Sequence, residues 1–73
     1  MYIKSYEYVQ CALWAHKNRD DEDEAFWMEK ALEAYRTERD QIVDVHTLTI
    51  WDIGELMDVD DILAGYYGDE AVA

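Results

Sequence analysis

The sequence predicts an all-α domain, a small bundle made of a helical hairpin and a short helix-turn-helix-like corner. Three observations support this reading. Proline is absent and the three glycines, Gly54, Gly65 and Gly68, all fall in the last third, so the first 53 residues lack the strongest chain breakers. Apolar residues recur at helical spacing in two long stretches. Cap-competent side chains stand at the head of each stretch.

The first stretch begins at Ser5, a helix-capping residue type, and continues through Val9, Ala12, Leu13 and His16 at i, i+3, i+4 and i+7 spacing, with Tyr8, Cys11 and Ala15 widening the stripe. A helix over residues 5–17 follows. The next segment, residues 18–24, is polar. Within it Asp21 is cap-competent with Glu24 three residues on, and its acids suit the positive end of a helix dipole. The second helix then covers residues 22–42, with Ala25, Met28, Leu32 and Tyr35 as its stripe and Phe26, Trp27, Ala31 and Ala34 broadening it. That stripe spans barely two heptads, so it serves an intramolecular core before a coiled-coil seam, although a homodimer through it is a second use. Trp14 and Trp27 are assigned to core or dimer contacts on the same ground.

Residues 43–50 are β-branched and loosely alternating, a pattern that admits a short strand. A lone strand has no mate in this chain, so a linker is the preferred reading, with Thr47 or Thr49 capping a third helix over residues 50–57. A fourth helix covers residues 60–67, Gly68 stops it, and residues 69–73 form a frayed tail of one single domain, residues 1–73. The stretch from Thr49 to Tyr67 resembles the helix-turn-helix of phage and bacterial repressors: Gly54 matches the small residue of the first helix, Val59 the apolar residue after the turn, and Ala64 and Tyr67 the apolar positions of the second helix. Asp58 replaces the turn glycine of that family.

Charge separates the chain into two halves. Residues 1–39 hold nine acids against six bases, a net of −3, whereas residues 40–73 hold nine acids and no base, a net of −9. A recognition helix needs Arg, Lys, Asn or Gln at base edges and cations at phosphates. Residues 60–67 offer no cation, so direct nucleic-acid binding is disfavoured and a protein partner with a basic surface is favoured. The carboxylates of Asp52, Glu55, Asp58, Asp60 and Asp61, interleaved with Trp51, Tyr66 and Tyr67, form the candidate partner-binding set. Aromatics beside carboxylates make good interface anchors, because they bury area while keeping a polar handle. Asp69 and Glu70 extend the set, and residues 20–24 are a second acidic patch.

In size, charge and aromatic content the whole chain resembles the small acidic inhibitors encoded by bacteriophages, a class that includes anti-CRISPR proteins and DNA mimics. That resemblance implies stoichiometric, non-enzymatic inhibition through a basic nucleic-acid-binding groove of a host protein complex. A degenerate helix-turn-helix regulator, or an adaptor or antitoxin-like partner, is the alternative.

Catalytic and metal-binding patterns are missing. The two histidines, His16 and His46, and the single Cys11 make neither HExxH nor CxxC, and no glycine-rich phosphate loop is present. Around Asp58 the calcium-loop pattern fails, since Ile62 stands where an oxygen ligand is needed. No enzyme activity, cofactor or metal is therefore expected. With one cysteine, no signal peptide and no apolar run long enough to span a bilayer, the expected setting is the bacterial cytoplasm without membrane contact.

Overall fold

The computed structural model describes residues 2–42 and 44–73. It is all-α: α1 (Lys4–Lys17), α2 (Asp21–Gln41) and α3 (Ile50–Tyr67) are joined by short connections, with 3-10 turns at Val45–Thr47 and Asp69–Val72. Among the described residues no strand forms; Val43, the first residue of the strand-like stretch, lies outside them.

The hairpin of α1 and α2 is closed by a three-residue turn. Asp20 N–H donates to Ala15 O at 2.9 Å and Arg19 N–H to His16 O at 3.0 Å, the paired bonds of a Schellman ending, which puts Arg19 in the left-handed region at φ 59°. Asp20 then caps α2 by accepting from Asp23 N–H at 3.1 Å, one residue ahead of the Asp21 expected from sequence. His16 Nδ1 lies 2.7 Å from Glu24 Oε2 across the same corner.

Packing between the two helices follows a narrower register than the sequence stripes suggest. On α1 the buried residues are Ser5, Val9, Ala12 and Ala15, while Leu13, Trp14 and His16 face solvent. On α2 they are Met28, Ala31, Tyr35 and Glu38, with Leu32 and Trp27 partly buried and Ala25 and Phe26 exposed. Small Ala12, Ala15 and Ala31 let the helices approach closely, which leaves large neighbours such as Trp14 on the rim. Trp27 stacks on Tyr8 across the hairpin, ring centres 5.8 Å apart.

Glu38 holds a core position because it caps the partner helix. Its Oε2 accepts from Ser5 N–H at 3.1 Å and its Oε1 accepts from the Ser5 hydroxyl. Ser5 is thus an internal residue of α1, and the residue at the cap, Ile3, makes no side-chain cap bond. A carboxylate from α2 satisfies an orphan amide at the positive end of α1 instead.

α3 departs most from the sequence reading. The expected break near Asp58, and with it the helix-turn-helix-like corner, is replaced by one unbroken helix of 18 residues. The reason lies in the inner stripe: Asp52, Leu56, Val59 and Leu63 step by four, three and four residues, and only a continuous helix aligns them on the hairpin. Val59 and Leu63 are fully buried against Val9, Ala12, Met28 and Tyr35. Thr49 starts the helix with a capping box, its Oγ1 accepting from Asp52 N–H at 3.1 Å while Asp52 Oδ2 accepts from Thr49 N–H at 3.0 Å.

Gly68 ends α3 at φ 101°, as the sequence suggests. The chain beyond it, assigned to a tail from sequence, turns back as the second 3-10 turn. There Arg36 Nη2 donates to Ala71 O at 3.0 Å and Arg39 Nη1 to Val72 O, and Val72 packs on the core.

Two outcomes follow for stability. Glu38→Ala leaves the Ser5 amide and hydroxyl buried without a partner, so chemical denaturation is expected to give a loss of about 1–3 kcal/mol, and Ser5→Ala in that background should add little beyond it. Gly54→Ala and Gly65→Ala meet no atom within 4 Å and lie in a helix interior, so each should raise stability by about 0.5–1 kcal/mol. Gly68→Ala, at positive φ, should lower it; thermal melts of the three variants check the signs and thereby the continuity of α3.

Candidate interaction surface

The Cα extents are 39 × 23 × 15 Å. The shortest holds only two helix layers at the usual spacing of about 8–10 Å, so α3 lies on the hairpin with its other side in solvent. At roughly 3.6 residues per turn, that outer side collects Trp51, Asp58 and Asp61 from the sequence-predicted set.

The rest of the set is dispersed. Asp52 is only 7% exposed, held by its capping box, and with Glu55 it lines a cleft against Tyr2, Tyr6 and Glu7 of the N-terminal region. Asp60 is half-buried and faces Tyr35, whose phenol is pushed up first by burial and then by the Asp60 charge. Tyr66 and Tyr67 pack edge to face with ring centres 4.7 Å apart at the far end of α3, both partly exposed. Burial, then Tyr66 and Glu29, push the Tyr67 phenol up, which places that ring beside α2.

α3 also exposes apolar residues that the sequence reading left out. Ile50 is 79% exposed, Met57 62% and Ile53 41%. Their i, i+3, i+7 spacing was visible, but two short helices divided by a turn offered no single face on which to place them. α3 therefore has apolar residues on opposite sides, an arrangement usual for a helix covered on both. Beside this face runs a groove of about 320 Å³, lined by Tyr35, Ile42 and Leu48 on one side and Ile53, Leu56 and Met57 on the other, with Arg39 and Asp60 at its edge.

No lysine or arginine follows Arg39 in the chain. The last two cations of the chain are engaged: Arg36 and Arg39 both donate to the C-terminal turn, and the Arg39 guanidinium also lies over the Tyr35 ring, 5.7 Å from its centre. Asp58 and Asp61 thus project, one helical turn apart, beside exposed apolar side chains. At the opposite end, in the second acidic patch, the Asp23 carboxyl is pushed up by its hydrogen bond to Asp20 and by that neighbour's charge.

Among the described residues no group of three or more histidines, cysteines, aspartates or glutamates is placed to hold a metal ion, and no helix is long and apolar enough to cross a membrane. In comparison with known proteins, no protein-family model, curated protein or solved structure matches the chain.

The Asp52 carboxyl lies below the usual value of 3.8, first because the Thr49 backbone amide donates to it. A carboxyl depressed in the folded state stabilises the fold above its ordinary range, and that contribution disappears as pH falls through the folded value. Asp52→Asn keeps an acceptor without the charge. The melting-temperature gap between wild type and this variant is expected to be open at pH 6 and to close as the pH falls through the lowered folded-state value of Asp52; a constant gap would mean that the charge contributes nothing.

Proposed function

We propose that the chain is a non-enzymatic inhibitor that binds, through the outer face of α3, a basic nucleic-acid-binding surface of a partner protein in a bacterial cell. The observation that carries this reading is the placement of Trp51, Asp58 and Asp61 on one exposed side of a continuous helix that carries no lysine or arginine. Carboxylates one turn apart stand about 5–6 Å from each other. An array of that kind meets a surface built to grip phosphates and repels nucleic acid itself. The exposed Trp51 ring supplies an anchor of the type that concentrates binding energy at interfaces. In size, charge and aromatic content the chain resembles the phage-encoded acidic inhibitors, which supports the same assignment.

The alternative, a degenerate helix-turn-helix regulator acting through protein contacts, has less support, since the resemblance behind it rested on a corner where α3 is one continuous helix.

The test is capture from bacterial lysate with wild type and with Asp58, Asp60 and Asp61 changed to lysine. A nucleic-acid-binding protein is expected, released by heparin or by raised salt, and bound at least ~10-fold more weakly by the variant. Retention of the same protein at equal affinity would sink the proposal.

A further inference from the structure

The groove between the C-terminal half of α2 and the N-terminal half of α3, together with the exposed stripe beside it, has more apolar surface than a merely acidic mimic requires. Large side chains carry roughly 150–250 Å² each, so Ile50, Ile53 and Met57, which share one side of α3, leave on the order of 300 Å² of apolar area in water, the size of the largest patch on a typical monomer and one that is often functional. Leu48, Ile42 and Tyr35 continue that surface into the groove. Asp60 and Arg39 stand at the groove's edge, the Arg39 guanidinium donating to the Val72 carbonyl, and exposed Asp61 lies one turn beyond Met57 on the α3 side.

From this combination we infer that the groove takes the apolar ridge of a basic amphipathic helix on the partner protein. The inference rests on the function proposed above and names its binding mode. An apolar ridge at i, i+3, i+4 and i+7 fits a helical groove of this kind, and lysines or arginines flanking the ridge on the α3 side would lie over Asp60 and Asp61. Other occupants fit less well. A second copy would set a chain of net charge −12 against another, with Asp60 and Asp61 facing their own copies. The patch also falls short of the roughly 800 Å² per partner found in standard stable interfaces. An anionic lipid surface or a nucleic acid is repelled by the same charge.

The probe is a synthetic Leu/Lys peptide of about five helical turns whose leucines recur at i, i+3, i+4 and i+7, compared with a scrambled peptide of identical composition. Charge alone binds both peptides alike, so the difference between them reads the apolar groove. Calorimetry is expected to show the patterned peptide binding at least ~10-fold more tightly, with methyl shifts in NMR spectra centred on Leu48, Ile53, Leu56 and Met57. Ile53→Ser with Met57→Ser, both at exposed positions, should abolish the preference while circular dichroism stays helical. Equal affinity for the two peptides overturns the inference, as do shifts centred on the other exposed apolar set, Leu13, Trp14 and Phe26. Light scattering at low salt that finds a dimer protecting Ile53 and Met57 overturns it in favour of a second copy. Failure here is separable from failure of the proposed function. If the serine variant still captures the nucleic-acid-binding protein at full affinity, only the groove assignment falls. If the patterned peptide binds as described but the captured protein has no nucleic-acid-binding surface, only the target class falls.

Discussion

The contact on which the remaining structure depends is the one between Glu38 and Ser5. A carboxylate removed from water is costly unless its oxygens are hydrogen-bonded, and here both are, to the amide and the hydroxyl of a single residue at the positive end of α1. Because the acceptor belongs to α2, the bonds fix the axial register of the hairpin as well as capping it. That register sets Val9 and Ala12 opposite Met28, Ala31 and Tyr35, and the resulting floor receives Val59 and Leu63. Sliding the hairpin by one turn would bury an unpaired carboxylate and unmake the seat of α3.

Charge and shape are linked through the C-terminal turn. Arg36 and Arg39, the last two cations of the chain, are drawn to the carbonyls of Ala71 and Val72, a favourable placement at the negative end of a helical turn. With Arg36 and Arg39 engaged there, the exposed side of α3 carries acids and apolar side chains and no lysine or arginine of its own. The segregation of charge seen along the sequence becomes a segregation in space, with the bases on the hairpin and a base-free face on the third helix.

Much of the fold was legible in the residues, and the places where reading failed share a cause. The two long helices, the Thr49 cap and the Gly68 stop follow from local chemistry: spacing, a side chain reaching an amide two or three residues on, and a glycine at positive φ. The corner at Asp58 was misread because an apolar Val59 after a polar residue is compatible with a turn or with an inner helix face, and local pattern does not separate them. Burial of Asp52, Leu56, Val59 and Leu63 along one line decides for the helix. In the same way Leu13 and Trp14 fit an apolar stripe, yet alanines at the contact draw the helices together and leave them outside. Of the candidate site, Trp51, Asp58 and Asp61 were found by type and meet on one face. Asp52 serves the capping box, and the apolar Ile50, Ile53 and Met57 were overlooked because a helix broken near Asp58 gives them no common face.

What the sequence determined by itself is the helical class, the hairpin, most of the helix ends and the charge asymmetry, since each depends on interactions within a few residues or on composition alone. Tertiary structure decided that Glu38 caps α1 from another helix, that α3 is continuous, and that one face of it is left acidic and apolar together. Those outcomes depend on which surfaces meet across more than thirty residues of chain, and burial, which settles them, is a property of the assembled layers.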